Sequence, residues 1–292
     1  MRLNAVYRII TYSMLSFGVL ILCLVYIFKM EGITQLENFP STISESLDMD
    51  GTTCYLEPLR NTDKYYNFIL FPTAAWCIDE ATVGNYQVCM DNITKSNCLV
   101  YSFGIANHFD FDDSIVQLKD CQVHSFDPTM GVDDHKRGTN IQFHNLGISN
   151  YKGSKTMSYI GKKNINTQVD TLYGIIQMLN HTDDNIDVLK LDIEGSELDV
   201  ILDVAYNYPK LFKKVKQLIM EIHTLEEYYW HTGNSVSTTL ADYWKMIQIL
   251  ECQGFHIMYS VKIREWGNIF TFKDKTNGKT RSCCYETSWI KK

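Results

Sequence analysis

The amino-acid sequence predicts an α/β protein with a mainly parallel sheet that helices cover on both faces. Short apolar runs alternate along the chain with segments whose apolar residues recur at helical spacing. Several runs end at a glycine or an acidic residue, as strands do where an open α/β sheet turns into its helices. With 292 residues, 45% of them hydrophobic and 21% charged, the chain has the composition of a globular protein.

Each predicted strand is a short apolar run bounded by turn residues. The first run stops at Gly104, the second at Asp127 and Pro128, and the third at Gly147. The last two runs form a hairpin-like pair, which fits an antiparallel end of the sheet. In chain order the predicted strands are Cys98–Phe103, Gln122–Phe126, Ile141–Leu146, Ile186–Leu191, Val215–His223, Phe255–Tyr259 and Ser282–Ile290.

The helices between these strands are predicted from apolar stripes. Leu198, Ile201 and Ala205 form such a stripe after the fourth strand, and Ser196 with Asp199 resembles a capping box at the start of that helix. The other predicted helices are residues 112–120, 169–179 and 240–250.

The N-terminal residues predict a membrane anchor. Residues 9–28 contain no charge and are long enough, at about 1.5 Å per residue, to span a bilayer as a helix. Arg2 and Arg8 precede this span and Lys29 follows it, so the positive-inside rule places residues 1–8 in the cytosol. The rest of the chain would then lie in the lumen or outside the cell.

The remaining chain divides into a stem and one domain. Residues 29–54 carry few apolar residues and predict a short stem. Residues 55–292 form the predicted domain, in which the aromatic-rich residues 55–97 are expected to be a helical or irregular N-terminal cap.

Cysteines and glycosylation motifs agree with this orientation. Asn92-Ile-Thr94 and Asn180-His-Thr182 are N-glycosylation motifs. Cys23 lies in the span, and the even number of remaining cysteines permits up to four disulfides, without indicating their pairing. The absence of a Cys-x-x-Cys pair disfavours a zinc site. We therefore predict a single-pass type II membrane protein of the secretory pathway (Golgi or ER lumen) or the cell surface.

The charge of the chain disfavours nucleic acid as a partner. The formal net charge is −7, and the sequence contains no run of Lys or Arg. Proteins that bind nucleic acid usually present a basic face. No nucleic-acid partner is therefore expected.

The turns after the first two strands are candidates for binding a nucleoside. Ser102, Phe103, Gly104 and Ile105 stand where dinucleotide-binding folds have a glycine-rich turn. Only one glycine is present, and taken alone the pattern is better explained by an ordinary strand-to-helix turn. Asp127 ends the second strand, where a carboxylate can accept hydrogen bonds from ribose hydroxyls. The alternative is an Asx turn fixed by the following proline.

Acidic residues and a histidine follow the fourth and fifth strands. Asp192 and Glu194 come after Ile186–Leu191, and Glu221 and His223 share one face of the fifth strand. They could deprotonate an acceptor hydroxyl, with His223 or Asp192 as general base. They could instead hold a divalent cation, as in a metal-dependent glycosyltransferase, or only satisfy helix termini and loops.

Five motifs in order carry a resemblance to a known family. They are Cys98–Ile105, Val123–Pro128, Phe143–Ile148, Val188–Glu197 and Leu218–His223. Together they resemble the animal methyltransferase-like protein 24 family, a membrane-anchored relative of FkbM-type methyltransferases. The resemblance spans roughly residues 85–290 and implies a Rossmann-like class I methyltransferase sheet that binds S-adenosylmethionine.

The resemblance also implies roles for individual residues. Ser102, Phe103, Gly104 and Ile105 would line the methionine part of the cofactor, Asp127 with Pro128 would hold the ribose, and Asn145 and Leu146 would lie near the adenine. Beside these carried-over roles, Asp192, Glu194, Glu221 and His223 are the candidate catalytic residues of the acceptor side, because they follow or end the fourth and fifth strands. The implied activity is O-methylation of a lumenal or extracellular acceptor: a glycan, a secreted protein or a small molecule. Ser102 replaces the acidic residue of many such enzymes, which keeps an inactive binding domain as an alternative.

Overall fold

The computed structural model describes residues 44–70, 75–159, 162–224, 240–265, 268–269, 271–274 and 276–292. Residues 43–292 form one compact unit. The predicted cytosolic tail and membrane span, residues 1–28, lie outside the described residues. In the described part of the chain no helix is long and apolar enough to cross a membrane.

An eight-stranded sheet forms the centre of the fold. In spatial order its strands are β14 (Phe255–Lys262), β19 (Cys284–Lys291), β13 (Val215–His223), β12 (Ile186–Leu191), β5 (Leu99–Phe103), β6 (Gln122–Phe126), β8 (Ile141–His144) and β7 (His135–Arg137). The strands from β13 to β8 run parallel, whereas β14, β19 and β7 run antiparallel to their neighbours. This confirms the predicted α/β sheet with an antiparallel end. The strand order reverses between β5 and β12, where open sheets of this kind bind ligands.

Helices and smaller strand pairs surround this sheet. The helices are α1 (Thr62–Leu70), α2 (Asp110–Lys119), α3 (Leu172–Met178), α4 (Glu197–Asn207), α5 (Leu211–Lys214) and α6 (Leu240–Cys252). The smaller strands are β1 (Glu45–Met49), β2 (Thr52–Leu56), β3 (Glu80–Val83), β4 (Tyr86–Cys89), β9 (Gly147–Ile148), β10 (Gly153–Tyr159), β11 (Lys162–Asp170), β15 (Arg264–Glu265), β16 (Asn268–Ile269), β17 (Thr271–Lys273) and β18 (Thr280–Ser282).

Both faces of the sheet are covered. Every residue of β5 and β12 is buried, as expected for parallel strands between two layers. On one face, residues such as Leu189 and Leu218 pack against α1, α3, α4 and α6. On the other face, Val100, Val188 and Ile219 pack against α2 and the β3–β4 hairpin. The predicted N-terminal cap is thus a helix and a hairpin on opposite faces of the sheet.

The helix expected over residues 169–179 is shorter at its start. Residues 169–170 end strand β11 and pair in parallel with β9. Thr171 then caps α3, since its side chain accepts a hydrogen bond from the N–H of Gly174. The third predicted strand ends at His144, two residues before the predicted Leu146, and the chain then enters β9, which belongs to a different sheet.

Helix α4 begins without the predicted capping box. The side chain of Ser196 makes no capping hydrogen bond, and its hydroxyl accepts one from Nζ of Lys155 at 2.8 Å instead. The carboxylate of Glu197, rather than that of Asp199, accepts the N–H of Ile193 at 3.0 Å. The pairing of Ser196 with Asp199 was therefore wrong, because the β10–β11 hairpin delivers a lysine to this helix end.

The predicted stem, residues 29–54, extends too far into the folded unit. β1 and β2 form an antiparallel hairpin, and Cys54 in β2 forms a disulfide with Cys252 in α6. Asp50 and Gly51 make its turn, with φ of 51° and 81°, the left-handed backbone of a two-residue hairpin turn. The residues of this hairpin belong to the domain rather than to a linker.

The cysteines of the described region are all paired. This agrees with the permitted number of disulfides and leaves no thiol in that region for a zinc ion. The pairs are Cys54–Cys252, Cys77–Cys89, Cys98–Cys121 and Cys283–Cys284.

Candidate active site

The turn after β5 is locked against the neighbouring strands. Gly104 has a φ of 80°, and a Cβ at this position would lie 1.6 Å from the carbonyl oxygen of Asp192. Its N–H donates to the carbonyl of Phe126 at 2.9 Å, while the carbonyl of Phe103 accepts the N–H of Asp192 at 3.2 Å. Glycine is required here both for the left-handed backbone and for the close approach to β12.

Asp127 holds the same turn from the side of β6. One of its carboxylate oxygens accepts the N–H groups of Ile105 at 3.0 Å and Ala106 at 2.7 Å. The other accepts the N–H and the hydroxyl of Thr129, at 2.8 and 2.7 Å. The contact to Thr129 N–H, across Pro128, is the Asx turn that the sequence offered as an alternative. To bind a ribose, this carboxylate must replace at least one of these protein donors by a ribose hydroxyl.

Ser102 and Phe103 direct their side chains into the two covered faces of the sheet. Ser102 is fully buried on the face of α2, beside Asp112. Burial raises the pKa of Asp112 to about 6, against the opposing hydrogen bond from Ser125. Phe103 stacks on Phe126 on the other face, with ring centroids 4.4 Å apart. At the carboxyl edge these two residues therefore present backbone rather than side chain.

The remaining predicted cofactor residues flank the same edge. Ile105 is buried, and Pro128 and Leu146 are half-buried. Asn145 is exposed, and its N–H donates to Asp134 at 2.8 Å. These positions follow β5, β6 and β8, three adjacent parallel strands, so one extended ligand could contact all of them. Their roles towards adenine and ribose stay predictions.

Asp192 lies at the end of β12 between a tyrosine and a lysine. The hydroxyl of Tyr86, from the β3–β4 hairpin, donates to its carboxylate at 2.8 Å. Nζ of Lys190 lies 3.6 Å from the same oxygen. Burial, together with the charge of Asp192, raises the pKa of Tyr86, so its hydroxyl stays protonated as a donor. The cap thus contributes a side chain to the site.

Glu221 and Glu286 form a pair of acids across β13 and β19. The two residues face each other directly in the antiparallel register. Like charges at such positions repel, and burial further disfavours the ionised forms. Burial raises the pKa of both carboxyls to about 7, and the charge of Asp192 adds to it in both cases. Both carboxyls therefore hold a proton up to higher pH than an exposed glutamic acid does.

His223 is a buried cation among carboxylates. Its Nε2 lies 3.2 Å from Glu221 and 3.7 Å from Glu194, and its Nδ1 lies 3.4 Å from Glu197. Burial opposes a charge on the ring, but the carboxylates of Glu197 and Glu221 outweigh it and raise the pKa of His223 well above its ordinary value. At neutral pH the imidazole is protonated on both nitrogens and donates to its neighbours.

The structure brings the predicted acceptor-side residues together, with further residues that the sequence did not indicate. Lys190 had a detectable signal, because a lysine interrupts an otherwise apolar, buried strand. The others depend on tertiary contacts that sequence patterns do not show. The predicted residues are Asp192, Glu194, Glu221 and His223, and the added ones are Tyr86, Lys190, Glu197 and Glu286.

The described residues show no compact set of metal ligands at this edge. Among all the described residues, the only group of three side chains whose ligand atoms lie within 4.8 Å of one another is Cys77, Cys89 and Asp91, and it does not include any of the acids at this edge. The two cysteines are already joined in a disulfide and are not available as thiolates. A divalent cation at the acidic edge stays a prediction.

Comparison with known proteins identifies the domain. A family model described as a methyltransferase domain matches residues 73–291, three quarters of the chain and every strand of the central sheet. This chain belongs to that methyltransferase-domain family. Proteins named "Probable methyltransferase-like protein 24" from human and rat are each 26% identical over 215 residues, covering 70% of this chain and 55% of each relative.

These relatives confirm the resemblance carried by the five motifs. The chain spans about half the length of the curated relatives that it matches. In this chain, the turn at Gly104 and the acids at the ends of β12 and β13 occupy the edge where an α/β sheet binds its ligand.

Proposed function

We propose that this protein is an S-adenosylmethionine-dependent methyltransferase that methylates a hydroxyl group of its acceptor. The proposal rests on the carboxyl edge of the sheet, where the turn at Gly104 and Asp127 lies beside the acids Asp192 and Glu221. The strands that carry these residues lie on both sides of the point where the strand order reverses, as nucleoside-binding sheets require. Membership of the methyltransferase-domain family supports the same cofactor.

The backbone of the turn and Asp127 would hold the cofactor. The hydroxyl of Thr129 is the partner of Asp127 that a ribose hydroxyl can most readily replace, since it contributes one side-chain hydrogen bond. The cofactor, when bound, supplies a methyl group on a sulfonium, which is an electrophile. The protein then has to orient the acceptor oxygen towards that methyl and remove its proton.

Glu221 is our candidate for the general base. A base works best when its pKa lies near the working pH, and burial places that of Glu221 at about 7. Its carboxylate would take the proton of the acceptor hydroxyl as the oxygen forms its bond to the methyl carbon and the carbon–sulfur bond breaks. Asp192 accepts the hydroxyl of Tyr86 and lies beside Lys190, so it would orient the acceptor.

His223 would position Glu221 rather than accept the proton itself. The sequence offered His223 or Asp192 as the base. A histidine that is already protonated has no free lone pair for the acceptor's proton. Its Nε2, 3.2 Å from Glu221, instead donates to that carboxylate.

The acceptor would be a lumenal or extracellular glycan, a secreted protein or a small molecule. Carboxylates accept hydrogen bonds from hydroxyl groups, which suits a sugar. Four disulfides in the described region fit an oxidising compartment such as the secretory pathway. The predicted N-terminal anchor would hold the domain at the membrane surface.

Thermal shift of the purified full chain tests the cofactor. We expect S-adenosylhomocysteine to raise the melting temperature, and UDP-sugars with Mn²⁺ to leave it unchanged. Asp127→Ala should weaken S-adenosylhomocysteine about 10-fold to 100-fold, because it removes ribose acceptors and loosens the turn. Asp113→Ala on α2, which breaks an exposed ion pair with Arg137 of β7, is the matched control and should bind normally. Stabilisation by the UDP-sugar alone would contradict the proposal.

A cofactor-binding domain without catalysis is the second candidate. It is favoured by Ser102, which stands where many such enzymes carry an acidic residue and which is fully buried on the face of α2. Incubation with S-adenosylmethionine labelled in the methyl group, in an extract of secretory glycoproteins and glycans, distinguishes the two. Binding together with label transfer that Glu221→Gln abolishes supports the enzyme, and binding without transfer supports the inactive domain.

A further inference from the structure

Lys190 is a buried lysine whose ammonium group contacts the cofactor turn. It is the second-to-last residue of β12, with 3% of its surface exposed. Nζ donates to the carbonyl of Gly104 at 2.9 Å and to that of Phe103 at 3.2 Å. It also lies 3.6 Å from the carboxylate of Asp192 and 5.0 Å from the ring centre of Tyr86. A buried charge is costly unless it is paired, and here its partners are the backbone of the turn and an acid of the acceptor side.

The turn is consequently held from two sides. Lys190 binds its carbonyl groups, and Asp127 binds the N–H groups of Ile105 and Ala106. Two residues of this segment besides glycine, Ala106 and Asn107, have a positive φ, of 47° and 65°. Such a backbone is unfavourable for these residues and persists only when surrounding contacts hold it. The cation on one side and the carboxylate on the other add side-chain contacts to the backbone hydrogen bonds that hold this segment.

We propose that Lys190 is a positioning residue that fixes the shape of the cofactor turn and couples it to Asp192 on the acceptor side. This inference rests on the proposed function, because it assigns the turn to the cofactor. Lys190 touches the backbone of the turn rather than the reacting atoms, so it acts through the peptide groups of Phe103 and Gly104. Its removal leaves two buried carbonyl groups without this donor and frees the turn to change conformation.

Binding and hydrogen exchange on the full chain test the role of Lys190. In Lys190→Met, we expect the Kd for S-adenosylhomocysteine to rise about 10-fold to 100-fold, as the loss of charged hydrogen bonds predicts. Hydrogen exchange of the ligand-free protein should accelerate in the peptide covering residues 103–108 and remain slow in β6 and β12. Lys190→Gln, which is too short to bridge both carbonyls, should behave in the same way and serves if the Met variant does not fold.

Lys216→Met is the matched control. Lys216 forms a comparable lysine–carboxylate contact, 2.6 Å from Asp187, at the opposite end of the neighbouring strand. This variant should lose stability without changing the Kd or the exchange of residues 103–108. The inference is overturned if Lys190→Met or Lys190→Gln binds like the wild type. It is also overturned if exchange accelerates equally throughout the sheet, which is the result of a merely structural role.

The outcomes separate this inference from the proposed function. If the wild type does not bind S-adenosylhomocysteine, the proposed function fails. Hydrogen exchange at residues 103–108 in the ligand-free variants still decides whether Lys190 fixes the turn.

Discussion

Replacing Glu286 by Gln should stabilise the protein above neutral pH, which is an unusual result for a buried polar substitution. Glu286 lies opposite Glu221, and burial together with the charges of Glu221 and Asp192 raises its pKa from an ordinary 4.5 to about 7. Gln has nearly the same shape and remains neutral at every pH. The substitution therefore removes only the cost of ionising this site in the folded state.

The size and the sign of the effect follow from linkage. Between pH 4.5 and about 7 the folded state holds a proton on Glu286 that the unfolded state has released, so wild-type stability falls as the pH rises. Over this whole interval the free energy of unfolding of the wild type falls by about 3 kcal/mol, since each tenfold change in proton affinity is worth about 1.4 kcal/mol. Glu286→Gln should thus match the wild type at pH 4 and exceed it at pH 8, by about 5–10 °C in melting temperature.

Melting temperatures from circular dichroism at pH 4 to 8.5 provide the assay. Glu57→Gln is the matched control, because the hydrogen bond from Lys64 lowers the pKa of this exposed acid. The difference in melting temperature between this variant and the wild type should therefore change with pH in the opposite direction. A stability difference for Glu286→Gln that does not depend on pH, or a loss of stability at pH 8, would refute the reasoning. In an active preparation the same variant should move the acidic limb of the rate profile to lower pH, because Glu221 loses a like-charged neighbour.

Three further predictions use other parts of the fold. Gly104→Ala should abolish binding of S-adenosylhomocysteine in calorimetry, because its Cβ would meet backbone at 1.6 Å, whereas Gly131→Ala, with a similar φ and open space, should bind normally. His223→Gln should cost about 3–5 kcal/mol in urea unfolding at pH 6, because neighbouring buried acids lose their cation. That cost should shrink as the pH rises from 6.5 through the raised folded-state pKa of His223, where the wild type also loses the charge. Asn92 and Asn180 are both exposed, so each Asn→Gln change should remove one glycosidase-sensitive mobility step from protein expressed in secretory cells.

Much of the central sheet could be predicted because its strands carry local signals. β6, β12 and β13 begin and end at the predicted residues, since each is a largely apolar run in the sequence. The hairpin of residues 45–56 also has a local signal, the Asp50-Gly51 dipeptide at its turn, but the polar composition around it favoured a stem. The hairpin of residues 153–170 has no such signal, because its strands are largely polar and show no apolar run, although they pair with each other along most of their length.

The candidate site could be predicted only where the residues follow a strand in sequence. The ends of β12 and β13 indicate Asp192 and Glu221 because parallel strands deliver their carboxyl ends to one edge. Tyr86 reaches Asp192 from a hairpin that lies 106 positions earlier in the chain. No local sequence pattern predicts that contact, because it forms only when the β3–β4 hairpin packs on the sheet.

The chemistry of the site depends on tertiary contacts that sequence patterns do not predict. From the sequence, His223 was as good a base as any acid near it, because its ordinary pKa lies closest to neutral. The fold reverses this order. It buries His223 against Glu197 and Glu221, which stabilises the imidazolium, and it places Glu286 opposite Glu221 by the antiparallel register of β13 and β19. A shift of that register by one residue would turn Glu286 to the other face of the sheet. The pairing of two late strands therefore decides which of the predicted residues is suited to accept a proton.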